Sequence, residues 1–249
     1  DKNYPSAVSV LGDAKLVLRQ LIAEVKQQTG NAGRAKAAAR VAAIREAKEA
    51  GAQEWHARRT SDESPINPYR VMWDLMHTVD IDNTIFTHDA GSPRDQVSPF
   101  WACRTPLSYI GWGKTTQLGY GLGLAMGAKL AKPDKLCINL WGDAAIGFTD
   151  MDFETAVRER IPILSILLNN FSMAIELKVM ALSTDKYRST DISGNYADMA
   201  KAFGGYGERV TDPGEIVAAI KRGIAATQEG KPALLEFITQ KEIEFSTFK

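Results

Sequence analysis

Only two cysteines, Cys103 and Cys137, occur in 249 residues, which gives neither a disulfide framework nor a metal-binding spacing. Three histidines, His56, His77 and His88, stand singly. Neither sign of charge is in excess: 30 Lys and Arg balance 30 Asp and Glu, so no nucleic acid and no anionic membrane is implied as a partner. No apolar run approaches the roughly 20 residues of a membrane-spanning helix, and no basic stretch followed by an apolar one opens the chain. A soluble, cytoplasmic protein is expected. What is present is a globular composition, 45% hydrophobic and 24% charged.

Residues 4–11 read as a short strand, and Gly12-Asp13 opens a helix whose Val17, Leu18, Leu21, Ile22 and Val25 are spaced for one buried face. Residues 34–60, rich in Ala, Arg, Lys and Glu, read as a solvent-facing connecting helix. Glu46, Glu49 and Glu54 interrupt its basic residues and argue against a nucleic-acid arm. Breakers over 61–68 mark a boundary. Beyond it the pattern alternates: helix 68–79, strand 84–88, the turn Asp89-Ala90-Gly91-Ser92, a glycine-rich helix, helix 196–203, strand 206–210, helix 213–229 and strand 233–239. The alternation predicts an α/β fold with a doubly wound, mostly parallel sheet and helices on both faces, preceded by a helical linker. The polar stretch 178–195 is predicted to be a mobile loop.

The most telling run is LCINLWGDAAIGFTDMDFETAVRERIPILSILLNN, residues 136–170, which reads strand, turn, helix, strand. Mg²⁺ takes hard oxygen ligands and is commonly held by one or two protein groups plus phosphates. A carboxylate at Asp143 and an amide oxygen at Asn170 would stand at the ends of neighbouring strands, joined by a right-handed crossover. Thr149 followed by Asp152 is a capping-box pattern, so Asp150, Asp152 and Glu154 read as helix start rather than as ligands. Gly119, Gly123 and Gly127 fall at i, i+4 and i+8, a smooth helix face permitting close approach. Gly121, Gly123 and Gly127 nearly spell a dinucleotide fingerprint, but the preceding WGKTTQL is no strand, which sets that reading aside.

Gly142-Asp143-Ala144 followed by Asn169-Asn170 closely resembles the thiamine diphosphate fingerprint, with Ala144 in place of a third glycine. The wider resemblance is to the family of acetolactate synthase, 2-oxoacid decarboxylases and 2-hydroxyacyl-CoA lyases. GDAAIGFTDMDFET is most like the lyase and oxalyl-CoA decarboxylase branch. The closing run DMAKAFGGYGERVTDPGEIVAAIKRGIAATQEGKPALLEFIT also resembles the end of that family's diphosphate-binding domain. The likeness spans most of 66–240, and residues 1–30 more weakly resemble the end of the family's central domain. The implied organisation is a central-domain remnant over 1–30, a linker helix over 31–62 and a thiamine diphosphate-binding domain over 63–249.

Carried residue by residue, the resemblance implies Asp143, Asn170 and the backbone carbonyl of Ser172 as Mg²⁺ ligands, with Asn169 shaping the turn. Gly142 and the backbone N–H groups of Ala144 and Ala145 would face the diphosphate, and Ala90, Gly91 and Ser92 would touch it. The run from Gly111 to Gly123 resembles the family's GTMGxGL. It implies Leu118 as the apolar wedge under the cofactor, the carbonyl of Thr116 as acceptor for its 4′-amino group, and Gln117 beside them. Met173 and Ala174 complete the expected cofactor contacts. His88 lies near this site, although a surface histidine at a strand end is the commoner outcome.

The family's activating glutamate, which protonates N1′ of the pyrimidine, belongs to a pyrimidine-binding domain that no segment here resembles. The expectation is therefore a chain with no catalytic residue of its own, either the C-terminal part of a longer polypeptide or a subunit of a split enzyme. It would work with an N-terminal pyrimidine-binding domain or separate subunit, as a homo- or hetero-oligomer (dimer or tetramer). The implied reaction is cleavage or formation of a C–C bond next to a carbonyl, on a small-molecule 2-oxoacid or acyl-CoA substrate. The leading reading is a 2-hydroxyacyl-CoA lyase or 2-oxoacid decarboxylase. An acetolactate synthase-like carboligase and a non-catalytic cofactor-binding subunit are the alternatives.

Overall fold

The computed structural model describes residues 4–30, 33–111, 113 and 116–246. Trp112, Lys114 and Thr115 of the glycine-rich run, and residues 31 and 32 of the expected linker, lie outside these. Two compact units emerge, 1–51 and 52–249.

The first unit holds α1 (Ala14–Thr29) and most of α2 (Gly33–Glu54). Asp13 starts α1 by accepting a hydrogen bond from Leu16 N at 3.0 Å, the usual job of an N-cap carboxylate. Residues 4–11 form no strand, because a lone strand has no ladder partner in a unit made of helices. The predicted apolar face of α1 forms a stripe but is not buried: Leu18 and Ile22 are 58% and 54% exposed. No residue of α1 is buried.

In the second unit, Trp55 and Arg59, both within the expected linker, start and end the single turn α3 (His56–Arg59) and are buried on α4 (Pro68–Thr78). The Trp55 ring lies 4.8 Å from that of Tyr69, and the Arg59 guanidinium lies 4.1 Å over Trp73. Asn67 caps α4 through Tyr69 N, with Pro68 in the first turn, where a missing N–H costs nothing. Six strands follow: β1 (Thr84–His88), β2 (Tyr109–Ile110), β3 (Leu136–Gly142), β4 (Leu164–Asn169), β5 (Tyr206–Val210) and β6 (Ala233–Ile238). Their spatial order is β2-β1-β3-β4-β6-β5, and every pairing is parallel. All residues of β1 and β4 are buried, as strands covered on both faces must be.

The side-chain alternation of β3 separates two cores. Ile138 and Leu140 join the residues of α4, α5 (Ser92–Val97) and α11 (Ile216–Gln228). Cys137 and Trp141 face α6 (Tyr120–Ala131), α8 (Asp152–Arg158) and α10 (Tyr196–Ala202). The crossover from β3 to β4 is a broken helix, α7 (Asp143–Thr149) and then α8. The expected capping box is absent. Thr149 Oγ1 instead donates to the Gly119 carbonyl at 2.9 Å, and α8 starts at Met151 without a side-chain cap. The stretch 178–195, expected as a loop, contains α9 (Ala181–Tyr187). Backbone bonds Met173 N to Thr190 O at 2.8 Å and Ile192 N to Phe171 O at 3.1 Å tie its end to the turn after β4.

The smooth glycine face is also displaced. Gly119 precedes α6 as its N-cap at φ 94°, a backbone region that favours glycine. Gly123 and Gly127 face open space, and the close approach falls at Gly121, where a Cβ would lie 2.5 Å from Asn139 Oδ1. No helix among the described residues is long and apolar enough to cross a membrane.

Candidate functional site

The carboxyl ends of β1, β3 and β4 open into one cleft of about 250 Å³. Ligands of parallel sheets bind at this end of the strands. Gly142 ends β3 and Asp143 opens α7, so the aspartate leaves the sheet edge pointing to the next strand end. The residue is 3% exposed. Oδ1 accepts from Ala144 N at 2.9 Å, and Oδ2 accepts from Asn170 N and Ser172 N, each at 3.0 Å. Burial pushes its pKa up to about 6, against the pull of the Ser172, Asn170 and Ala144 donors. A cation beside it would favour the ionised carboxylate, as the three N–H donors already do.

Two further oxygens join it. Asn170 Oδ1 and Ser172 Oγ are buried and have no hydrogen-bond partner among the described residues. A buried polar atom left unpaired costs about 1–3 kcal/mol; the carboxylate and the Asn170 amide oxygen, which only accepts, favour a hard cation, while the Ser172 hydroxyl can accept or donate. The Ser172 carbonyl accepts from Ala174 N at 2.8 Å and keeps a second lone pair. Among the described residues no group of three or more His, Cys, Asp and Glu could hold a metal. A single carboxylate with neutral oxygens is the set Mg²⁺ uses when phosphates supply the rest. The residues present therefore fit a magnesium diphosphate.

The other wall comes from the loop after β1. Ala90 and Ser92 are buried, and Gly91 stands at φ 85°, which a side chain would strain. Arg94 Nη1 donates to Thr116 Oγ1 at 2.8 Å, and its Nε pairs with Asp95 at 2.8 Å. Leu118 lies against Gly91: a Cβ there would be 4.0 Å from Leu118 Cδ2.

The cleft thus gathers Ala90, Gly91, Ser92, Thr116, Leu118, Gly142, Asp143, Ala144, Ala145, Asn170, Ser172, Met173 and Ala174, all expected from the sequence. Gln117 is the exception; it does not line the cleft. The Ala144 N–H is engaged by Asp143. Asn169 is the turn-shaping residue: its Oδ1 accepts from Phe171 N at 3.0 Å. His88 is neither on the surface nor in the cleft. It is 3% exposed, packed between the rings of Tyr109 and Tyr120, with Nδ1 3.0 Å from the Asp89 carbonyl.

Sequence reasoning missed Arg94 and Thr239 in the cleft wall. A basic residue two positions after the Gly91-Ser92 turn was the available signal for Arg94. Thr239 carried none, because it reaches the cleft only through the pairing of β6 with β4.

The model of the thiamine pyrophosphate enzyme, C-terminal TPP binding domain matches residues 89–237. The chain is 26% identical over 248 residues to the probable acetolactate synthase large subunit of Methanococcus aeolicus, covering 95% of this chain and 40% of that protein. It is 27% identical over 250 residues to the 2-hydroxyacyl-CoA lyase of Arabidopsis thaliana, covering 93% and 41%. The chain therefore spans about two fifths of the length of these relatives. Among solved structures, the thiamine diphosphate-dependent 4-hydroxybenzoylformate decarboxylase of Rhodococcus jostii RHA1 shares the fold, with a TM-score of 0.64 at 24% identity over 74% of this chain and 34% of that one. With the family model covering more than half of its residues, the chain belongs to the thiamine pyrophosphate enzymes, of which it carries the C-terminal, cofactor-binding domain.

Proposed function

We propose that this domain holds the Mg²⁺-diphosphate end of thiamine diphosphate in an enzyme that cleaves a C–C bond next to a carbonyl, in a 2-oxoacid or 2-hydroxyacyl-CoA. The observation that carries the reading is the pair of buried, unpartnered oxygens, Asn170 Oδ1 and Ser172 Oγ, on the two residues whose backbone N–H groups hold the Asp143 carboxylate. Asp143, Asn170 and the Ser172 carbonyl would hold the metal, and Ala90, Gly91 and Ser92 would line the diphosphate. Leu118 and Thr116 would set the organic end, and Arg94 brings a guanidinium to the same wall. When bound, the cofactor supplies the electron sink for the bond cleavage. The chain's own part is to bind, orient and exclude water. The activating acid would come from a pyrimidine-binding domain or partner chain, completing the site in an oligomer.

A second reading, acetolactate synthase-like carboligation, is favoured by the similarity to the Methanococcus aeolicus protein over nearly the whole chain. Both readings share the metal site. Titration of the assembled enzyme with thiamine diphosphate, with and without Mg²⁺, tests it. In Asp143→Ala the Mg²⁺-dependent part of the affinity should vanish, a loss beyond the ~10–100-fold typical of an outer-shell partner. Unchanged affinity would overturn the assignment. Supplying each substrate class to the assembled enzyme separates the two reactions.

A further inference from the structure

A carboxylate stands in the middle of β6 with no exposure at all: Glu236 is 0% accessible. A buried charge is costly unless it is paired and hydrogen-bonded, and here four hydrogen bonds converge on it. Asn169 Nδ2 donates to Oε1 at 2.7 Å and Arg209 Nη2 to the same oxygen at 2.9 Å. Ala197 N donates to Oε2 at 2.9 Å and Arg209 Nε at 3.1 Å. Glu236 does not line the cleft, yet both of its connections lead to Asp143.

The first runs through Asn169. Its amide N–H₂ is held by Glu236 while its Oδ1 accepts from Phe171 N, so the side chain spans from the sheet interior to the turn. Phe171 sits at φ 57°, which disfavours any non-glycine residue, and the bond to Asn169 holds it there. On either side of Phe171, Asn170 N and Ser172 N donate to Asp143. The second connection runs through α10. Glu236 takes the Ala197 N–H in its first turn, and Arg209 donates to the Gly194 carbonyl at 3.0 Å just before it. Tyr196 Oη then reaches the backbone carbonyls of Ser193 at 3.0 Å and of Asp143 at 3.3 Å.

We infer that Glu236 is a positioning residue for the cation site: acting through Asn169 and the N-terminus of α10, it sets the turn that presents Asn170 Oδ1 and the Ser172 carbonyl beside Asp143. The inference rests on the reading of those three residues as the Mg²⁺ site. A carboxylate is needed because every one of its partners is a donor. A glutamine would turn an N–H₂ group toward Arg209 together with either Asn169 or Ala197 N, and so break one of the two connections. Metal ligands oriented by an outer partner lose ~10–100-fold in metal affinity when that partner is removed.

The test is an Mg²⁺ titration of the assembled enzyme saturated with thiamine diphosphate, read by the shift in thermal midpoint and by tryptophan fluorescence rather than by activity. Glu236→Gln should raise the half-saturating Mg²⁺ concentration by ~10–100-fold. Adding Asn169→Asp to it should recover most of that loss, because a carboxylate at position 169 can accept both from the amide now at position 236 and from Phe171 N. Glu208→Gln, on the neighbouring strand β5, breaks a pair with Arg222 of α11 and should leave the half-saturation unchanged. Should Glu236→Gln fail to fold, Asn169→Ala cuts the same link and carries the same expectation. Wild-type protein with no Mg²⁺ dependence would overturn the metal site itself. A Mg²⁺-dependent wild type with a lower metal-free midpoint but unchanged half-saturation in Glu236→Gln would overturn the positioning role alone.

Discussion

Two aspartates close two neighbouring strands in nearly the same way but in different surroundings. Asp89 follows β1, Asp143 follows β3, and each accepts three backbone N–H groups. On Asp89 these come from Ala90 at 2.8 Å, Gly119 at 2.9 Å and Gly121 at 2.9 Å. Burial raises the pKa of both, opposed in each case by the backbone donors. What differs is the company. Asp89 is wholly enclosed and pinned by backbone donors to the start of α6. Asp143 opens on a cleft with two more acceptors that no described residue satisfies. An anchored carboxylate is therefore not evidence of a site. A carboxylate grouped with an orphaned amide oxygen and an orphaned hydroxyl is a candidate for one, because the amide oxygen calls for an added cation or donor and the hydroxyl can accept or donate.

Removing Asp89 should give the largest change in stability. Asp89→Ala leaves three buried N–H groups without an acceptor, and each costs about 1–3 kcal/mol. Urea denaturation should show a loss of about 3 kcal/mol or more, while the requirement of cofactor binding for Mg²⁺ persists. Asp143→Ala should show the opposite emphasis, with the metal requirement gone. If Asp89→Ala removed the Mg²⁺ requirement as well, the two aspartates would not be separable and the contrast would fall.

The backbone framework was legible in advance where local signals are strong. Strands β1 and β5 have the predicted bounds because turn-forming residues flank short runs of strand formers. The cleft residues were legible because the Gly142-Asp143 and Asn169-Asn170 pairs each sit at a strand end and parallel pairing brings those ends together. The Asp89 clamp was not, since its donors lie 30 and 32 residues away on another element. The same holds for Thr149, whose hydroxyl is used by Gly119, 30 residues distant, and not by its own helix. Glu236 read as one polar position in the strand ALLEFI, and only the packing of β4, β5 and α10 around it shows what it holds. The exposed face of α1 marks the opposite limit: periodicity predicts an apolar stripe, never what covers it.

The Asp89 clamp can be loaded rather than cut. Gly121 donates to Asp89 Oδ2, and a Cβ placed there would meet Asn139 Oδ1 at 2.5 Å and both Asp89 N and Oδ2 at 3.1 Å. Gly121→Ala should cost about 1–3 kcal/mol through overpacking. Gly123, two residues on in the same helix, has open space around it. Gly123→Ala should be neutral or stabilise by up to ~1 kcal/mol, the helix-propensity gain. Paired thermal melts of the two variants measure the difference directly, and equal destabilisation would show that α6 is intolerant of side chains in general rather than tight at the clamp.

The smallest effect separates the residues that precede the two aspartates. Gly142 brings no titratable group to Asp143, whereas His88 brings a buried imidazole to Asp89. Its Nδ1 lies 3.0 Å from the Asp89 carbonyl and 3.4 Å from Tyr120 Oη, which suits a neutral ring donating from Nδ1. Its Nε2 faces Gly111, whose Cβ, if it had one, would lie 2.1 Å away. Burial pushes the His88 pKa below the 6.5 usual for histidine; the Asp89 carbonyl opposes this, Arg94 adds to it, and Asp89 and Asp95 oppose it. A depressed folded pKa means that the contribution of His88 to stability is complete above the unfolded value and declines as pH falls through 6.5 toward the folded one. Urea midpoints measured between about pH 7.5 and 5, a window that spans this decline, should therefore fall more steeply for the wild type than for His88→Gln, in which that proton linkage is gone. Parallel curves would mean that the ring takes up its proton as readily in the fold as in the unfolded chain. In that case the end of β1 would be open to water, and the enclosed clamp at Asp89 would no longer contrast with the open cleft at Asp143.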